Sequence, residues 1–255
     1  MLRTPALVCV LRSLSVEKAL NAIMRGADAV ELRVDLLRRD ERDVARVRDF
    51  VSVFKDFRCD AHVILTNRAA SEGGGFEGTE EERMNLLAEL MEVVDADAVD
   101  VEFMAEHEMR SEIMRIAHDR NASVILSFHD FSGMPAADSI ENMAHEMHAE
   151  GADIAKIAVT PKTAEDALTL LRITLKLSHS SLNDSLNDRS GAHARHARNE
   201  KKVAIIGMGR IGKHTRVIAP IYGSALTYGF PDDDGEVAPG QLSISAMRRM
   251  LNALS

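Results

Sequence analysis

Short apolar runs recur along the chain at fairly even intervals, and longer amphipathic stretches separate most of them. The runs cover 6–11 (ALVCVL), 29–35 (AVELRVD), 62–67 (HVILTN), 98–103 (AVDVEF), 123–130 (SVILSFHD), 153–159 (DIAKIAV), 202–208 (KVAIIGM) and 224–229 (SALTYG). Their length and β-branched content predict strands. Apolar residues three and four positions apart predict helices over 15–25, 80–94, 106–120, 139–150 and 163–177. Ser15 with Lys18, and Thr79 with Glu82, stand where two of these helices start, and the second pair has the pattern of a capping box. Eight strands alternating with helices is the count of an α/β (β/α)8 TIM barrel; a doubly wound open sheet is the competing architecture.

The stretch 178–202 (SHSSLNDSLNDRSGAHARHARNEKK) breaks this rhythm. It is polar, poor in large apolar groups, and reads as an exposed, mobile insertion in a single barrel domain spanning 1–255. His193 and His196 within it lack a cysteine or acidic partner at ligand spacing, so a solvated loop is the better reading than a metal site.

Composition narrows the function. A chain of 255 residues, 45% hydrophobic and 28% charged, has the make-up of an ordinary soluble globular protein. A formal net charge of -9 argues against general nucleic-acid binding, though a local arginine cluster can still hold a small anion. Cys9 and Cys59 give neither a disulfide framework nor metal spacing. No apolar run approaches the ~20 residues of a membrane span. The N-terminus lacks a signal-peptide pattern, so a cytoplasmic protein without a membrane partner is expected. Barrels with apolar outer helix faces often pair, and a homodimer is the expected assembly.

The candidate chemistry lies where charge interrupts strands. Lys156 breaks DIAKIAV; it is either an amine tuned by burial to attack a carbonyl or a side chain snorkelling to solvent. His129, near the end of the preceding strand, is a natural general acid/base. Glu31, Arg33 and Asp35 share one strand face by period two, so they form an ion-pair network or meet a ligand. Arg68 precedes the glycine-rich 70–78 and is either a carboxylate clamp or a surface arginine. Asp100 and Glu102 also share a face. Gly207, Gly209 and Gly212 spell G-x-G-x-x-G, but no acidic residue ends the following strand, so a dinucleotide site lacks its context. The segment instead supplies Arg216 at a helix opening. Gln241, after the Pro239-Gly240 turn, stands in a segment suited to a lid or to a plain loop.

Taken in order, ELRVD, TNRAASEGG, DVE, SFHDF, DIAKIAV, GMGRIGKHTRVIAPIYGSALTYG and APGQ resemble the type I 3-dehydroquinate dehydratases, over nearly the whole chain from Ala6 on. The resemblance implies a (β/α)8 barrel and a lyase that needs neither metal nor cofactor. It implies that 3-dehydroquinate is the substrate, that Lys156 forms an imine with it, and that His129 is the general acid/base. It places Glu31, Arg33 and Arg68 in substrate binding, with Arg216 on the substrate carboxylate. It also implies that Gln241 closes over the ring and that Glu72 orients the histidine. The pathway implied is the shikimate route to chorismate and aromatic amino acids. Two departures stand out: Cys9 and Val237 replace frequent hydroxyl residues, each expected to remove a ligand hydrogen bond at the rim. The rival enzyme class is a Schiff-base class I aldolase or transaldolase; a further rival is a non-catalytic binding barrel.

Overall fold

The structure is a computed structural model that describes residues 2–58, 60–187 and 201–254. Eight strands form one sheet: β1 (Ala6–Leu11), β2 (Ala29–Arg33), β3 (His62–Thr66), β4 (Ala98–Glu102), β5 (Ser123–Asp130), β6 (Ile154–Val159), β7 (Lys202–Gly207) and β8 (Leu226–Gly229). Every pairing is parallel, from β7 through β1 to β8. A parallel bridge between Val203 and Ser224 brings the two ends together, and the Ala225 N–H donates to the Val203 carbonyl at 2.7 Å. The sheet is a (β/α)8 barrel, as the alternation of runs predicts.

Six helices cross between strands: α1 (Val16–Met24), α2 (Val44–Phe57), α3 (Glu80–Val93), α4 (His107–Asp119), α5 (Ala137–Ala149) and α6 (Ala164–Asn187). Two short turns of helix, α7 (Gly209–Gly212) and α8 (Thr215–Ile218), follow β7, and α9 (Ile244–Leu254) completes the ring. Both expected caps form. Ser15 Oγ accepts from the Lys18 N–H at 3.2 Å, and Thr79 and Glu82 make the full reciprocal box. Helix α2 buries Val47, Phe50, Val51 and Phe54, a spacing of three, one and three that puts all four on one face.

One expectation changes. Helix α6 runs unbroken to Asn187, well into the polar stretch read as an insertion from 178. Serine and asparagine have only weak helix propensities, but they do not stop a helix already nucleated by an apolar face. The remainder of that stretch before 201, with His193 and His196, lies outside the described residues.

Two apolar layers hold the fold. One lies between strands and helices, where Val30, Leu32, Val63, Leu65, Val99 and Val101 face outward from the barrel. The other fills the barrel itself, and it is built in tiers from alternate strands. Ala29, Ala98, Ile154 and Leu226 come from the even strands, and Val8, Ile64, Ile125 and Ala204 from the odd ones. One step further along, the even strands send in Glu31, Asp100, Lys156 and Tyr228. At that level the apolar plug ends and the charged chemistry begins.

Candidate active site

The period-two geometry of parallel strands explains why the functional side chains converge. Once residue 29 faces the barrel axis, so do Glu31 and Arg33; the same count brings in Asp100 and Glu102, Ser127 and His129, and Lys156. Strand ends at the C-terminal face therefore deliver Glu31, Arg33, His129 and Lys156 to one cleft, while Asp100, Glu102 and Ser127 bond to its lining residues Arg68 and Lys156. Glu31, Arg33, Arg68 and Glu72 line one side of it. His129, Lys156, Arg216 and Gln241 complete the set expected from sequence, and all eight share this one cavity.

Lys156 is 4% exposed, so it does not snorkel. Its Nζ donates to Asp100 Oδ2 at 2.7 Å, lies 3.8 Å from Glu31 Oε1, and sits 4.2 Å from the centroid of the Tyr228 ring. Asp100 is the hub of the site. Its Oδ1 accepts from Arg68 Nη2 at 2.7 Å and from the Ser127 hydroxyl at 2.6 Å. Burial alone would raise the Asp100 pKa; the Arg68 and Lys156 cations outweigh it and hold the carboxyl below the usual carboxylate range.

Arg68 is neither a surface arginine nor a free clamp. It is buried, with Nη1 donating to Glu102 Oε1 at 2.9 Å and to Ser127 Oγ at 2.6 Å. Burial disfavours its charge, but Asp100 and Glu102 overcome that and push its pKa up. Arg83 Nη2 approaches the other oxygen of Glu102 at 2.9 Å from α3. On the adjoining strand Arg33 binds Asp35 through two bonds of 2.8 and 2.7 Å, and Asp35 also accepts the backbone N–H groups of Arg68 and Gly75. Asp35 itself sits in the short turn after β2, so the expected trio divides: Glu31 and Arg33 face the cleft, and Asp35 anchors Arg33 and the glycine-rich loop.

His129 is oriented by Glu72. One carboxylate oxygen, Oε2, takes both the His129 backbone N–H and its Nδ1, each at 2.9 Å. With Nδ1 donating to a carboxylate, Nε2 is left as the basic nitrogen. Burial, reinforced by the Arg68 and Lys156 cations, holds the imidazole well below its ordinary pKa, so it is neutral near neutral pH. Burial also pushes Glu72 up to about 7, against the pull of Arg68. The loop carrying Glu72 turns at Gly73, whose φ of +82° puts it in the left-handed region, and a Cβ there would lie 2.6 Å from the Phe131 ring.

The G-x-G-x-x-G segment is a tight fold-back. A Cβ at Gly207 would meet Gly212 Cα at 2.9 Å, and the Thr215 hydroxyl accepts the Gly207 N–H at 3.0 Å. The fold-back sets Arg216 over the barrel mouth. Arg216 is buried, donates from Nη2 to the Pro239 carbonyl at 3.2 Å, and has a buried Nε without a hydrogen-bond partner among the described residues. Burial lowers its pKa to about 10, eased only in part by Glu236. No carboxylate lies within 4 Å of this guanidinium among the described residues, which leaves it able to pair with an anion. The segment above it is stiffened by Gln241, whose Oε1 accepts the N–H groups of Val237 and Ala238 at 2.8 and 3.1 Å.

Sequence reasoning misplaced one group and passed over two. Cys9 belongs to the layer between strands and helices, fully buried there, and Val10 faces the cleft in its stead. Its replacement of a hydroxyl therefore removes no ligand hydrogen bond; Val237 does line the cleft. Asp100 was noted only for its strand face; Ser127 and Tyr228 were not singled out. For Ser127 and Tyr228 the available signal is their place two residues after the inward-facing Ile125 and Leu226.

A sequence profile described as type I 3-dehydroquinase matches residues 8–186 and 188–255. A 3-dehydroquinate dehydratase of Methanosarcina barkeri is 39% identical over 250 residues, covering 98% of this chain and 94% of that protein. One from Listeria monocytogenes is 31% identical over 227 residues, covering 89% and 82%. The crystal structure of the type I enzyme from Clostridium difficile superposes with a TM-score of 0.80 at 26% identity, over 99% of this chain and 92% of that one.

Proposed function

Since the chain belongs to the type I 3-dehydroquinase family and is a 3-dehydroquinate dehydratase, a hydro-lyase, we propose that its reaction runs through an imine on Lys156 with His129 moving the protons. The class I aldolase alternative gives way to this family. Lys156 Nζ attacks the C3 ketone of 3-dehydroquinate, and loss of water from the carbinolamine leaves a cationic imine. That imine is an electron sink that acidifies the C2 protons. Neutral His129 takes one of them through Nε2 and yields an enamine. The protonated imidazole then returns the proton to the C1 hydroxyl, which leaves as water while the enamine electrons form the C1–C2 double bond. Hydrolysis of the conjugated imine releases 3-dehydroshikimate and restores the amine.

The observation that carries this reading is the amine of Lys156 at the floor of the cleft, buried and flanked by Asp100 and Glu31. Burying a lysine at a barrel axis is costly unless it is paired and put to use. Arg216 supplies the anion site for the C1 carboxylate, and Glu31 with Arg33 supplies polar contacts for ring hydroxyls. Arg68 acts by fixing Asp100 and lining the cleft, and Gln241 by shaping the segment over the ring. Glu72 keeps the imidazole in the tautomer the base needs. A small carboxylated polyol as the substrate fits this site; among the described residues no helix is long and apolar enough to cross a membrane. A cytoplasmic location, the shikimate pathway as context and a homodimeric assembly belong to the same proposal. Analytical ultracentrifugation checks the last of these.

The deciding experiment is borohydride reduction during turnover. The expected result is a stable adduct on Lys156, located by peptide mass mapping. An enzyme that produces the enone product at full rate while borohydride leaves Lys156 unmodified sinks the imine.

A further inference from the structure

Tyr228 is the fourth member of the tier that carries the reacting nitrogen. Glu31 from β2, Asp100 from β4, Lys156 from β6 and Tyr228 from β8 meet at one level of the barrel, and every contact in the group runs through Lys156 Nζ. In an ordinary barrel such a tier is filled by branched apolar side chains. Here two carboxylates and an aromatic face surround a single amine. The Tyr228 side chain is buried, and its hydroxyl has no hydrogen-bond partner among the described residues. The ring face is thus the part of the side chain with a specific task, and the hydroxyl is not serving a bond that would explain its choice.

We propose that Tyr228 is a positioning residue for the nucleophile: its ring face receives one N–H of Lys156 and so aims the nitrogen lone pair at the cleft. The inference rests on the imine reading above. Once it has given up its proton for the attack, the amine has two N–H bonds and one lone pair besides its carbon. Asp100 Oδ2 at 2.7 Å takes one N–H as a hydrogen bond. The electron-rich face 4.2 Å away is the next acceptor surface, nearer to contact than Glu31 at 3.8 Å is to a hydrogen bond. With both N–H bonds directed into the tier, the remaining vertex of the nitrogen points out of it, toward the substrate ketone. The ring also fills the barrel axis, so the side chain of Lys156 cannot sink away from the cleft.

The test separates imine formation from the later proton transfers. Parent enzyme, Tyr228→Leu and Tyr228→Phe are mixed with 3-dehydroquinate, quenched with borohydride at short times, and the rate of adduct formation on Lys156 is read by intact mass. Tyr228→Leu is expected to slow adduct formation and kcat roughly tenfold, the scale of one desolvated ring contact, while KM moves by less than about threefold. Tyr228→Phe, which keeps the face and drops the hydroxyl, is expected to recover most of that loss. If Tyr228→Leu does not fold, as judged by circular dichroism, Tyr228→Met fills the space without a ring and is read the same way. A folded variant without the ring that forms the adduct at the parent rate overturns the proposal, as does a Phe variant as slow as the Leu one. Absence of adduct in the parent enzyme would instead remove the imine reading itself.

Discussion

Arg216 should be a residue that the free protein would be more stable without. Its guanidinium is buried, its one hydrogen bond among the described residues goes to the Pro239 carbonyl at 3.2 Å, and burial lowers its pKa from the ordinary arginine value to about 10. At ~1.4 kcal/mol per unit, that fall corresponds to about 3 kcal/mol lost by holding the charge inside the folded protein. The sign follows from the direction: a base with a depressed folded pKa destabilises the fold while it is protonated. The handicap is full below about pH 10 and fades only as pH rises above it, so it is undiminished at neutral pH. Arg216→Leu removes the buried charge and gives up the bond to Pro239, a loss of about 1 kcal/mol. The net expectation is a gain of about 2 kcal/mol, or a rise in Tm of about 4–8 °C for a chain of this size.

Activity should move the other way. If Arg216 meets the substrate carboxylate, the variant leaves that anion buried without its partner, which costs about 2–5 kcal/mol, a drop in kcat/KM of roughly 30- to 4000-fold. Differential scanning fluorimetry reads the first quantity, and absorbance of the conjugated enone reads the second. A variant that is less stable than the parent shows that the cation is already well satisfied. A kcat/KM within about tenfold of the parent shows that the anion binds elsewhere. Only the combination of greater stability and lost activity fits an arginine held in readiness for a ligand.

Three other outcomes test separate parts of the site. Because burial and two neighbouring cations hold His129 well below its ordinary range, an NMR titration of its imidazole should show no protonation from alkaline pH down through 6.5 and protonation only below it; a midpoint at or above 6.5 would contradict that environment. Gly240 has φ +82° and a Cβ there would lie 2.5 Å from the Gly209 carbonyl oxygen, so Gly240→Ala should displace the segment holding Gln241 and raise KM roughly tenfold with little change in Tm. Cys9→Ser places a hydroxyl in the apolar layer outside the barrel; denaturant melts should show a loss of about 1–3 kcal/mol with kcat/KM unchanged, whereas a selective change in KM would put the side chain back at the rim.

How far the site could be read from sequence depended on which strands carry a charge. Parallel barrel strands are buried on both faces, so hydrophobicity does not tell inward from outward positions. In β2 and β6 the charged residues break that degeneracy. Glu31 and Arg33, and Lys156, have to face the one polar space available, and the structure puts them there. Strand β1 has six buried residues and no charge, so nothing in ALVCVL says that Val10 rather than Cys9 faces the cleft. The helical continuation of α6 to Asn187 was hidden for a related reason: a polar run rich in serine and asparagine looks alike as loop or as the extension of an existing helix.

Tyr228 marks the limit of that reading from the other side. A tyrosine in a strand looks like packing, and by burial it is packing. Its role becomes visible only when β8 closes against β1 and the even strands are counted together, because the charged tier spans four strands that are far apart in sequence. The same tier explains why Arg68 can be fully buried without being free to bind. Lys156 and Arg68 share the Asp100 carboxylate, so the site keeps a cationic amine beside a cation only because Glu102 and Glu31 balance the second positive charge. Removing Asp100 would therefore not simply free Lys156. It would leave two buried cations facing one another, which ties the placement of the nucleophile to the stability of the barrel core.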